Sequence, residues 1–115
     1  MFDNYNNTVQ YSNMIPKKLI TISKKETRSL ACRGLKLTEE AGELSAEILK
    51  YLGEKGRKGK TEQEVLEHLH LEAIDVMIMA MDILVHTDAT KEEIDRIMNS
   101  QLDRWNDKMK EDRNQ

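Results

Sequence analysis

Apolar side chains recur every three or four residues through most of the chain, the period of helices that bury one face. Leu30, Gly34, Leu37, Ala41, Leu44 and Ile48 are spaced 4, 3, 4, 3 and 4 apart, a bundle-type seam that predicts a helix over about residues 24–52. Gly53 follows as a natural C-terminal stop. A second helix is predicted over about 62–86, and its later half, AIDVMIMAMDILV, is apolar nearly all round, the pattern of a buried helix. Ile94, Ile97, Met98, Leu102, Trp105 and Met109 form the seam of a third, from Thr90 to about residue 111. Three capping boxes, Ser23 with Glu26, Thr61 with Glu64 and Thr90 with Glu93, predict the three starts.

The segments between are less regular. KKLITI, residues 17–22, fits a short strand or a helical turn. Residues 1–16 are polar and Asn-rich and read as an N-terminal arm, with Phe2, Tyr5 and Tyr11 in packing roles. GEKGRKGK, residues 53–60, carries three glycines and four basic residues and reads as a solvated connector in preference to a phosphate-binding flap. The expected architecture is all-α: one domain over residues 17–115, an antiparallel bundle of three main helices. Three broad apolar faces are poorly covered by one chain, so four-helix-type packing is expected to be completed by homo-oligomerisation, as a homodimer or homotetramer.

Composition narrows the function classes. With 115 residues the chain has room for one core. A net charge of −3 provides no nucleic-acid footprint. No run is apolar over the length needed to span a bilayer, and the N-terminus lacks the apolar stretch of a secretory signal. The single cysteine, Cys32, excludes an internal disulfide and is read as packing, which fits a cytoplasmic setting.

The candidate chemistry is acidic. On a wheel of about 100° per residue, Glu40, Glu43 and Glu47 form a stripe along the flank of the first seam, with Lys36 one turn earlier and Glu39 further round. On the second helix His68, Glu72, Asp75, Met79 and Asp82 share the one polar side. Glu40 and Glu43, like Glu72 and Asp75, are three residues apart and project in similar directions. If the two helices lie side by side the four carboxylates converge, and they must then take up protons, pair with Lys36 or Arg104, or hold cations. Oxygen-only ligands suit Mg²⁺ or Mn²⁺; zinc is less suited without His or Cys in the set. An E-x-x-H pair, Glu67 and His70, would suit a di-iron bundle, but it falls on the opposite face and has no second copy.

These residues resemble the MazG-type nucleotide pyrophosphohydrolases of the all-α NTP pyrophosphatase superfamily. That family's pattern is E-E-x-x-E, a spacer and E-x-x-D; here it is Glu39-Glu40-Ala41-Gly42-Glu43, 28 residues (44–71), then Glu72-Ala73-Ile74-Asp75. The likeness covers residues 36–85. It implies Mg²⁺-dependent hydrolysis of an NTP or dNTP to the monophosphate and pyrophosphate. It implies Glu40, Glu43, Glu72 and Asp75 as metal ligands and Glu39 as the residue that orients or deprotonates the attacking water. Substrate phosphates would fall to Lys36 and, on the last helix, to Asn99 and Arg104, although Gln101 stands about where the family carries a Lys. The superfamily also holds dimeric dUTPases and phosphoribosyl-ATP pyrophosphatases. Outside it, a non-catalytic dimerising helical module would share the seams but leave the polar strip of the second helix without a role.

Overall fold

A computed structural model describes residues 14–114. The polar arm, with Phe2, Tyr5 and Tyr11, lies outside the described residues apart from 14–16. The described chain is all-helical, with four helices and no strand: α1 Lys17–Lys25, α2 Leu30–Tyr51, α3 Glu62–His86 and α4 Lys91–Arg113. No described helix is long and apolar enough to cross a membrane. The described residues group into two compact units, one over Lys17–Thr87 and one over residues 88–114 with residues 14–16.

The start of the first predicted helix is corrected. KKLITI is helical, as α1, and the chain breaks over 26–29 before α2 begins. Ser23 does not cap a helix with Glu26. It is buried near the end of α1, and its hydroxyl donates to Asp82 Oδ1 of α3. Ser29 is the N-cap instead, accepting from Cys32 N at 3.2 Å. Glu26 serves the break: its Oε1 accepts from Thr27 N and Arg28 N at 2.9 and 3.1 Å. Two further carbonyls in this region are satisfied by one side chain. Arg33 donates from Nη2 to Glu26 O and from Nε to Arg28 O, each at 3.0 Å.

The other boundaries follow their capping chemistry. Thr61 and Glu64 form a complete capping box at the start of α3, and Thr90 accepts from Glu93 N at 3.1 Å at the start of α4. α2 closes on a Schellman pattern, with Glu54 N donating to Leu49 O, Gly53 N donating to Lys50 O, and Gly53 at φ 79°. That left-handed turn favours the residue without a Cβ. In the basic connector, Arg57 is used locally: its Nε and Nη2 donate to Lys50 O and Tyr51 O, the last carbonyls of α2. His86 lies in the last turn of α3, where a cation favours the helix dipole.

α2 and α3 run antiparallel, with Arg33 meeting Asp82 at one end and Glu47 approaching His68 at the other. α1 also packs on α3, through Ser23 and Asp82. The side of α2 that turns inward is not the leucine seam. Arg33, Glu40 and Glu47, seven residues apart, are its buried residues, whereas Leu37 and Leu44 are half-buried and Leu30, Ala41 and Ile48 are exposed. α3 buries Val65, Met81 and Val85, but Leu71, Ile74 and Met77 are about half exposed, at 49, 54 and 55%. The expectation that this helix is enclosed on every side holds for only part of its circumference. Cys32 is exposed, not packed.

In the second unit Ile15, Ala89 and Ile94 are buried. The rest of the α4 seam, Ile97, Met98, Leu102, Trp105 and Met109, is exposed.

Arg33 is the most enclosed charge in the molecule's described part, with a side chain 1% exposed that ion-pairs through Nη1 with Asp82. Removing one member of a buried pair leaves the other charge without compensation. Arg33→Met is therefore expected to lower the unfolding free energy by about 3–5 kcal/mol in urea titrations followed by circular dichroism. The double variant Arg33→Met/Asp82→Leu should recover much of that loss. A loss of under about 1 kcal/mol for Arg33→Met, the level of an exposed pair, would contradict a structural role.

Candidate metal centre

The site lies within the α2–α3 seam. Heptad spacing on α2 turns Glu40 toward α3, and the three-residue step on α3 brings Glu72 and Asp75 to meet it. Carboxylate oxygens of Glu40, Glu72 and Asp75 lie within 4.8 Å of one another, and so do those of Glu39, Glu40 and Glu43. Glu40 belongs to both trios, as the residue they share. Of the residues expected here, Glu39 and Glu43 are exposed, Asp75 is half-buried, and Glu40 and Glu72 are buried at 8 and 7% exposure.

Charge compensation along the seam is uneven. Asp82 has Arg33 and Ser23. Glu47 has Lys50 at 3.0 Å, with His68 Nδ1 3.7 Å away. Lys36 Nζ donates to Glu39 Oε1 at 3.0 Å and stands 3.9 Å from Glu40 Oε1. Glu72 Oε2 is buried and has no hydrogen-bond partner. An unpaired buried carboxylate oxygen costs free energy, so this atom marks the place where a further positive group, or a proton, is called for.

The electrostatics agree with that geometry. Burial pushes the Glu40 carboxyl above the ordinary glutamate value of 4.5, and the Glu43 charge adds to the rise while Lys36 opposes it. Burial likewise raises Glu72, and the charges of Glu43, Glu40 and Asp75 push in the same direction. Glu43 thus acts on both buried acids, which ties the two trios into one acidic cluster.

Asn99 and Arg104 lie on α4, in the second unit; both are exposed, and Arg104 Nη1 donates to Gln101 Oε1 at 3.3 Å. Within the Lys17–Thr87 unit, Lys36 is the cation beside Glu39 and Glu40. Asp82, placed by the wheel on the same strip as Glu72 and Asp75, is claimed by Arg33 and stands apart from the cluster. Glu67 and His70 are both exposed. Sequence reasoning missed Arg33 as a seam residue and the Glu47–Lys50–His68 contact. The signal for Arg33 was its place seven residues before Glu40 and fourteen before Glu47, on one line of the helix.

The donor set is oxygen-only, carries several negative charges and leaves one buried oxygen unsatisfied, which fits a hard divalent cation. Glu40, Glu72 and Asp75 could hold it, with Glu43 and Glu39 alongside. No family model, no curated protein and no solved structure matches the chain.

The raised acids have a definite consequence for stability. Between its ordinary and its raised pKa, Glu72 binds more protons in the folded than in the unfolded chain, so its contribution to stability is lost as pH rises through that window. Without divalent ions, Glu72→Gln should gain on the parent protein in thermal midpoint on going from about pH 5 to about pH 8. Saturating Mg²⁺ at the higher pH should then raise the parent midpoint more than that of the variant. Parallel pH curves for the two proteins would contradict a raised Glu72.

Proposed function

We propose that the protein is a Mg²⁺-dependent nucleoside triphosphate pyrophosphohydrolase, cleaving an NTP or dNTP to the monophosphate and pyrophosphate, with Mn²⁺ able to replace Mg²⁺. The observation that carries this reading is the unpartnered Glu72 Oε2, buried in a trio with Glu40 and Asp75 on a seam where Asp82 and Glu47 each have a cation close by. A triphosphate carries about four negative charges near neutral pH and would be repelled by these acids in their bare state. A bound divalent ion supplies the opposite charge, a site for the phosphoryl oxygens and a more acidic water.

The roles of the chain's own residues follow. Glu40, Glu43, Glu72 and Asp75 hold the cation. Glu39, at the exposed edge and bonded to Lys36, orients the attacking water and accepts its proton. The water oxygen bonds to the α-phosphorus, the bridging α–β P–O bond breaks, and pyrophosphate leaves. Lys36 is suited by position to meet phosphate oxygens, and the family resemblance implies the same task for Asn99 and, near the expected arginine position, Arg104. Incubating the protein with a panel of NTPs and dNTPs, standard and modified, plus Mg²⁺ should release pyrophosphate from at least one of them. Glu72→Gln and Asp75→Asn should each lower that rate by roughly a hundredfold or more while the helical circular dichroism spectrum is retained. Absence of pyrophosphate across the panel would remove the enzymatic reading and favour a non-catalytic helical module.

The same reading includes a homodimer or a larger even assembly. Leu71, Ile74 and Met77 step evenly along the outer side of α3 and stay about half exposed. An antiparallel copy of the helix would set Leu71 opposite Met77 and Ile74 opposite itself, which is the self-complementarity a two-fold interface requires. Light scattering is expected to give at least twice the 13.4 kDa chain mass. Ile74→Glu should shift it toward the monomer; a monomeric parent protein would exclude this arrangement.

A further inference from the structure

We propose that Lys36 is an exchangeable counter-cation built into the acidic site: its ammonium neutralises Glu39 and Glu40 in the metal-free protein and yields them when a divalent ion binds. This rests on the cation site proposed above. Three basic residues serve acids on the α2–α3 seam, and they are held with different firmness. Arg33 is sealed, with bonds to Glu26 O, Arg28 O, Ser23 Oγ and Asp82. Lys50 pairs with Glu47, a member of neither carboxylate trio. Lys36 has a side chain 38% exposed and one bond of hydrogen-bond length, to Glu39; its 3.9 Å separation from Glu40 is an ion pair without a hydrogen bond.

Of the two acids Lys36 faces, Glu40 is one that a metal would require. Glu39 and Glu40 both belong to one trio, and Glu40 is common to both. A single ammonium on α2 neutralises this outer edge but leaves Glu72 Oε2 unpartnered. A divalent ion with several coordination positions can serve both, so ion and ammonium compete for Glu40. The released side chain has somewhere to go. A shallow surface depression beside it is lined by Arg28, Cys32, Leu35, Lys36 and Glu39. There the ammonium would stand near the Arg28 guanidinium, as a pair of cations facing whatever anion accompanies the metal.

The test is Mg²⁺ and Mn²⁺ binding by titration calorimetry, at one pH and one ionic strength, for the parent protein, Lys36→Met and Lys50→Met. Deleting a positive charge that competes within a few ångströms of a divalent ion should tighten binding by roughly tenfold in Lys36→Met. Lys50→Met should stay within about twofold of the parent. Trace acetylation of Lys36 in the parent protein, read by mass spectrometry, should rise severalfold with the same midpoint as metal binding. If the parent protein binds the ion but Lys36→Met binds it no more tightly, the inference fails and the cation site stands. Equal tightening in both lysine variants, or acetylation indifferent to the metal, also overturns it. If none of the three proteins binds either ion, the site itself is refuted and the exchange with it.

Discussion

The Arg33–Asp82 ion pair sets the register of the unit over Lys17–Thr87. Arg33 sits on α2, Asp82 on α3, and Ser23 near the end of α1 completes the contact, so one buried charge pair touches all three helices of that unit. The same guanidinium satisfies two carbonyls at the break between α1 and α2. A buried pair of this kind is stabilising only while both partners are present and their remaining hydrogen-bonding capacity is filled, and here nearly all of it is filled. Packing at the end of the seam is therefore specified by directional bonds, where leucines would have tolerated sliding or rolling of one helix on the other.

That arrangement decides which face of α2 turns inward. With Arg33 facing α3, residues seven and fourteen further on must face it too, and these are Glu40 and Glu47. Carboxylates enter the seam because they share a line with the anchoring arginine. Two different solutions then appear along one helix pair. At Glu47 the charge is matched by Lys50 and approached by His68. At Glu40, Glu72 and Asp75 three acids meet, with one lysine at their outer edge and one oxygen left over. A seam built for stability alone would place an apolar side chain at Glu72, as α3 does at Val65 and Val85.

Much of this was legible in the chain. α3 was bounded correctly because Thr61 and Glu64 form a complete capping box and its apolar run continues to His86. The meeting of Glu40 with Glu72 and Asp75 could be anticipated from three-residue spacing, which depends only on helix geometry. Two features were not legible. Ser23 and Ser29 compete as caps, and the choice between them is made by Asp82, which is 59 residues away from Ser23 in sequence. The inward face of α2 was misjudged because apolar periodicity marks the faces that will be buried against something, without saying which partner buries them. Leu30 and Ile48, on the expected seam, are exposed, while Arg33, Glu40 and Glu47 are the buried residues of α2.

The charge balance of the acidic cluster leaves few ways to settle it. Burial and neighbouring charges both raise Glu40 and Glu72, so protons can relieve the repulsion at low pH. A single ammonium on α2 reaches only the outer edge. What remains is a species with concentrated charge, small enough to stand between two helices and able to accept several oxygens at once. Hard divalent cations meet those requirements, and water, a lone lysine or a monovalent ion meets only some of them. Exposed Glu39 and buried Glu72 sit in different environments although both are glutamates. Glu72 is buried, and its Oε2 has no hydrogen-bond partner.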